Sequence, residues 1–165
     1  MVGHAKPDAA FPLPDGRQSD AARDIARGCG RLLARLGLAS LPEFTLPSGR
    51  RADLAALTMK GEIWILEVKS SLSDFESDSK WPEYGSYCDR FFFAVAPEFP
   101  IARLPDETGL IVADRYGGEI IRDGKRDAVP GARRRTIQLL FARTAAVRLL
   151  RLADPEFTVD PLSGG

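Results

Sequence analysis

The sequence predicts an α/β fold, a mixed central sheet with helices on its faces. Three observations carry this. Apolar residues at helical spacing open and close the folded part of the chain. Between them, short β-branched or aromatic runs alternate with turn residues. One of those runs, "IWILEVK" from Ile63 to Lys69, is apolar on both faces for most of its length. Such a strand must be covered on both sides, as in a sheet sandwiched between helices.

The first helix spans about residues 19–36. Ile25, Cys29, Leu32, Leu33 and Leu36 form its apolar stripe, Ser19 or Asp20 caps it, and Gly37 ends it. Gly28 and Gly30 inside it speak against a helix. Arg23, Arg27, Arg31 and Arg35 recur every four residues and make a basic stripe, ordinarily a solvated face and otherwise a phosphate-binding one. Residues 44–46 suit a short strand before a Pro-Ser-Gly turn. Residues 51–58 and 62–69 read as a hairpin turning at Lys60-Gly61.

Residues 74–87 read as irregular and helical, with Pro82 suited to a first helical turn and Trp81 to the core. "RFFFAVA", residues 90–96, is the most apolar strand. "GLIVADRYGGEIIR" supplies two more strands around a Tyr-Gly-Gly turn. A long helix over about 133–153 closes the fold, with Ile137, Leu140, Phe141 and Val147 toward the core. The expected organisation is one domain over 17–153, a disordered tail over 1–16 and a polar tail over 154–165.

Composition narrows the function. The chain has 165 residues, with 23 basic and 23 acidic side chains and no formal net charge. Overall charge therefore points to neither nucleic acid nor membrane, and an electrostatic footprint has to be local. His4 is the single histidine and sits in a Gly/Pro/Ala-rich segment. Ser–His, Cys–His and His-ligated metal chemistry are excluded on that count. Cys29 and Cys88 have no CxxC spacing and suit two buried thiols in a reduced cytoplasm. With no apolar run of about 18 residues and no apolar leader segment, the expected protein is soluble and cytoplasmic, with no membrane contact.

The chemistry concentrates at the end of "IWILEVK". Alternation puts Glu67 and Lys69 on the face of Ile63 and Ile65. A carboxylate and an ammonium in such apolar surroundings are costly unless a partner or a cleft receives them. Asp53, in "RRADLAAL" on the preceding strand, is a second carboxylate in an apolar run. Directly opposed residues of a hairpin share a face. Asp53 faces Glu67 if the loop centres on Lys60, which an odd-length loop or a bulge provides; a two-residue turn would set it against Val68 instead.

Two converging carboxylates repel unless a cation lies between them. Mg²⁺ or Mn²⁺, held by Asp53, Glu67 and the Val68 backbone carbonyl, is the expected cofactor. Lys69 would then position the attacking water and stabilise charge at a phosphodiester. The structural alternative is an ordinary carboxylate–lysine pair at a sheet edge.

Helix, hairpin with D…ExK, helix and strand, in this order, resemble the core of the PD-(D/E)XK, restriction-endonuclease-like superfamily. The longer string "RADLAALTMKGEIWILEVKSSLSDFESDSKWPEYGSYCDRFFFAVAPEFP", with the later "GLIVADRYGGEIIR", is similar to the MmcB-like DNA-repair family of alphaproteobacteria, a proposed branch of that superfamily. The likeness covers roughly residues 18–152 and is most specific from Glu67 to Asp89.

The resemblance implies an αβββαβ core with an added β-hairpin and C-terminal helix. It implies a metal-dependent DNA phosphodiester hydrolase acting in repair or damage tolerance. Asp53, Glu67 and Lys69 match the superfamily motif residue by residue. Because some superfamily members bind without cutting, the alternative is an inactive module that binds DNA structures or another repair protein. Many members carry a first-helix glutamate as an extra ligand; here that helix offers only Asp20 and Asp24. The helix after the ExK strand would contribute Lys80 and Tyr84 to the cleft. Arg50 and Arg51 at its mouth, with Arg27 and Arg31 of the first helix, are the expected phosphate contacts. The acidic run Asp74, Glu76 and Asp78 reads as a solvated, helix-capping segment, or as an extension of the metal site.

Overall fold

The structure, a computed structural model, describes residues 19–158. The expected tail over 1–16, the lone histidine and the last seven residues lie outside the described residues. Helix α1 spans Asp20–Arg35, and the Ser19 hydroxyl accepts the Ala22 N–H at its start. Strands β1 (Ala39–Thr45), β2 (Arg51–Leu57) and β3 (Ile63–Lys69) follow. A short helix α2 (Leu72–Ser77) and a 3₁₀ segment (Trp81–Tyr87) lead to β4 (Arg90–Val95). Strands β5 (Gly109–Asp114) and β6 (Gly117–Arg122) and the long helix α3 (Gly131–Ala153) complete the chain.

Among the described residues the sheet has six strands in the order β1-β2-β3-β4-β5-β6. β1, β2 and β3 pair antiparallel, β3, β4 and β5 pair parallel, and β6 returns antiparallel on β5. This is an open mixed sheet flanked by helices, consistent with a restriction-endonuclease-like fold. α1 covers one face, packing Ile25, Cys29 and Leu33 on Leu54, Leu66, Phe92 and Ile111. The 3₁₀ segment and α3 cover the other, where Ile65, Tyr84, Ile137 and Phe141 meet. β3 is therefore central and buried on both sides, as its sequence requires.

Three local expectations change. β1 is seven residues long instead of three. Pro42 hides it in the sequence, but β1 is an edge strand, where a missing N–H costs no ladder bond. The segment expected as irregular and helical from residue 74 starts at Leu72 and divides into a six-residue α-helix and a 3₁₀ run joined at Asp78. Gly28 does not interrupt α1. The helix lies so close to the β5–β6 turn there that a Cβ would overlap the carbonyl oxygens of Asp114 and Gly117.

Candidate active site

The β2–β3 loop, residues 58–62, sets the site. It has five residues, with Gly61 at a left-handed φ of 81° and Thr58 N–H bonded to the Glu62 carbonyl. The hairpin register then runs Leu57↔Ile63 to Leu54↔Leu66. One further step sets Asp53 opposite Glu67. At that step the backbone ladder gives way to side chains. The Asp53 carboxylate accepts the Val68 N–H at 2.7 Å, and the Asp53 N–H donates to Glu67 Oε1 at 3.3 Å. Each carboxylate thus holds the other residue's strand. In a strand, a residue's N–H and C=O point to the same side, so the Val68 carbonyl also faces β2.

Both carboxyls are hard to ionise. Burial, then the charge of Asp53, push the Glu67 carboxyl up to about 8. Burial raises Asp53 to about 6 against the opposing pull of the Val68 N–H and the Lys69 charge. The two titrate as a pair. Burial, and then the Asp53 charge, push the Cys29 thiol of α1 up to about 12, so that thiol is inert.

Lys69 is buried, 5% exposed, and its ammonium lies 2.7 Å from Asp78 Oδ2. Asp78 also takes the Lys80 N–H. The ammonium is therefore held by the turn between α2 and the 3₁₀ segment. Asp74 accepts the Ser70 N–H at 3.2 Å and adds its field to Asp53. The acidic run thus belongs to the surroundings of the site. Glu76 departs from that, bonding Arg103 on the surface.

Tyr84 is buried and donates its hydroxyl to the Arg51 carbonyl at 2.9 Å, two residues before Asp53, and it also meets the Glu67 carboxyl. Lys80 is exposed at the start of the 3₁₀ segment. Arg50 lies over the Tyr84 ring at 5.5 Å and bonds Glu83 at 2.7 Å. Arg51 lies 3.6 Å from Glu43. Asp24 sits half-buried on α1. Arg27 is exposed there, and Arg31 reaches across to the Tyr116 carbonyl at 3.4 Å. These two arginines belong to the helix on the far face of the sheet from Tyr84, so they do not join Arg50 and Arg51 in one patch.

Glu43 is the residue the sequence reading passes over. It adopts a left-handed φ of 47°, rare for a side chain of this kind. Arg148 of α3 holds the Pro42 and Glu43 carbonyls, fixing this kink in β1. The carboxylate oxygen Oε1 is buried, and its charge also raises Asp53. No cue in the sequence short of the Pro42 break marks it.

Among the described residues no group of three or more His, Cys, Asp or Glu side chains is arranged to hold a metal ion. The pair Asp53–Glu67 still suits a hard divalent cation, which needs one or two carboxylates and completes its shell with waters and phosphate oxygens. A half-buried and a buried carboxyl with raised pKa values are what such a cation relieves.

Comparison with known proteins bears on the same residues. No curated protein matches the chain. A solved structure, the SPO1766 protein of unknown function from Silicibacter pomeroyi, is 43% identical, with a TM-score of 0.82 over 86% of this chain and 97% of that one. The family model described as DNA repair protein MmcB-like matches residues 9–156, which include every residue of the site. The chain belongs to the MmcB-like DNA repair protein family.

Proposed function

We propose that the protein is a metal-dependent DNA phosphodiester hydrolase of the PD-(D/E)XK type, working in DNA repair. The observation that carries this reading is the Asp53–Glu67 pair. The half-buried Asp53 and the buried Glu67 converge where β2 and β3 part, each tied to the opposite strand and both held above the usual carboxyl range.

Asp53, Glu67 and the Val68 carbonyl would hold Mg²⁺ or Mn²⁺. When bound, the ion lowers the pKa of a water and neutralises charge on a phosphodiester oxygen. Lys69 supplies a proton-donating ammonium on the same face, and orients the water once substrate phosphate competes with Asp78 for it. Tyr84 keeps Glu67 and the start of β2 in place. Arg50 and Arg51 flank the mouth and contact the DNA backbone, which makes binding salt-dependent and largely indifferent to sequence.

The test is a panel of single-stranded, flapped and branched DNA with and without Mg²⁺ or Mn²⁺. Cleavage that needs the ion, and is lost in Asp53→Ala and Lys69→Ala while folding and DNA binding persist, is the expected result. Cleavage unchanged in both variants overturns it. The Lys69–Asp78 ion pair supports a second reading. An ammonium already occupied at 2.7 Å suits a non-catalytic module that binds DNA structures or another repair protein. DNA binding without cleavage on any substrate of the panel selects that reading.

A further inference from the structure

Helix α3 turns an apolar side to solvent. Ile137, Phe141, Thr144 and Val147 face the sheet. On the opposite side, at helical spacing, Leu139, Ala142, Ala146, Leu149, Leu150 and Ala153 are all exposed. Leu139 is 60% and Leu149 67% exposed. A helix on a protein surface normally gives that side to polar and charged residues, and one that is apolar all round is covered. Beside it, Pro47, Thr136, Leu139, Leu140 and Arg143 line a groove of about 250 Å³.

The charges at the two ends of α3 indicate what covers it. The helix contains six arginines and no carboxylate. Arg133, Arg134 and Arg135 crowd its N-terminal turns, and Asp154 and Glu156 follow its C-terminus, both exposed. Arg151 in the last turn follows the helix dipole, whereas Arg133 to Arg135 at the start and Asp154 and Glu156 past the end run against it. Arg134 is accounted for by its ion pair with Asp89. Arg135, on the exposed side, is not used in that pair.

The reversed ends become favourable beside a second α3 running the other way. Each arginine-bearing N-terminus then meets the carboxylates of Asp154 and Glu156 past the other C-terminus, and the two dipoles oppose. With Ala146 at the midpoint, the small side chains of Ala142 and Ala146 let the helices approach closely. Leu139 of one copy then meets the segment around Leu149 and Ala153 of the other, and Arg135 meets Asp154 and Glu156.

We infer that the protein forms a two-fold symmetric homodimer in which α3 packs antiparallel on α3 of a second copy. The contact is isologous and closed, so it yields dimers and no filaments. A DNA partner would meet leucines where phosphate contacts are needed. The inference stands apart from the hydrolase reading.

Sedimentation velocity of the full chain over a concentration series into the high-micromolar range tests it. A reversible monomer–dimer equilibrium is expected, and Leu149→Arg should leave monomer throughout. Arg135→Glu and Glu156→Arg should each raise the dimer Kd about tenfold, because the dimer contains the contact twice. The double variant should return to within about threefold of the parent, since it rebuilds the pair with signs exchanged. All these positions are exposed, and circular dichroism confirms that each variant folds. A chain that stays monomeric, a dimer indifferent to Leu149→Arg, or a double variant no better than the singles overturns the inference. So does capture of anionic vesicles or duplex DNA by a monomer through Leu149.

Discussion

Two sets of carboxylates sit at opposite ends of β3, and they behave in opposite ways. At the start of the strand, Asp89 is wholly buried. It accepts the Ile63 N–H at 2.7 Å, the Val129 N–H at 3.0 Å and two bonds from Arg134 at 2.6 and 2.5 Å. Burial works against its charge, yet those donors hold its carboxyl below the usual range. At the other end, Asp53 and Glu67 each receive a backbone N–H and face each other, and both are raised. Burial alone does not set the behaviour of a carboxylate; the donors and charges around it do. A saturated anion is a fastening; in the Asp53–Glu67 pair, burial and mutual repulsion keep the carboxyls protonated to higher pH.

The largest expected effect tests the fastening. Asp89→Ala strands a guanidinium and two amides, and should cost about 3–5 kcal/mol in denaturant unfolding. A loss below about 1 kcal/mol would break the comparison. Because the folded pKa is depressed, the stabilisation from Asp89 is present above the unfolded carboxyl value and fades as pH falls below it.

Asp78→Ala comes next, at about 2 kcal/mol, since it leaves the Lys69 ammonium buried without its partner. A much smaller loss in the thermal midpoint would mean that Lys69 falls back on the Asp53–Glu67 pair, which sharpens the view of that pair as short of positive charge.

Glu67→Gln should act in the other direction. The raised folded pKa means that the folded state holds the proton more tightly than the unfolded one. The pair's contribution therefore falls as pH rises from about 4.5, the usual glutamate value, through about 8. At pH 8 the amide should be more stable than the parent by about 1–2 kcal/mol, and the gain should vanish near pH 4. Mg²⁺ should stabilise the parent at pH 8 and leave the variant unmoved. Calorimetry at both pH values, with and without the ion, checks all three statements.

The smallest effect is expected at the rim. Arg50→Ala removes a pair with the exposed Glu83 and should cost at most about 0.5 kcal/mol. DNA affinity at low salt should fall all the same, with a shallower salt slope, measurable by fluorescence anisotropy.

Much of the fold was legible because its elements announce themselves locally. The alternation in β3, the stripe of α1 and the Phe-rich β4 each follow from periodicity. The opposition of Asp53 and Glu67 was legible as a condition on loop length, and the five-residue loop meets it. What stayed hidden depends on contacts far apart in sequence. Nothing in the sequence around Asp89 marks its guanidinium, which comes from Arg134 on α3. Arg31 was read as a phosphate contact, and its reach to the Tyr116 carbonyl exists only once α1 lies against β5 and β6. The kink at Glu43 is imposed by Arg148, more than a hundred residues on. No window of local sequence contains such pairs.

Gly28 has one more consequence. By helix propensity alone, alanine there should add about 1 kcal/mol. In this fold it would drive a methyl group into the Asp114 and Gly117 carbonyls, so α1 would have to lift off the β5–β6 turn. Cys29, the next residue, packs on the layer of Leu54 and Leu66, just before the strands part at Asp53 and Glu67. The glycine is a spacer of no thickness. It sets how far α1 stands from the outer edge of the sheet, and a substitution made to stiffen the helix would shift Cys29 on the strands behind the carboxylates.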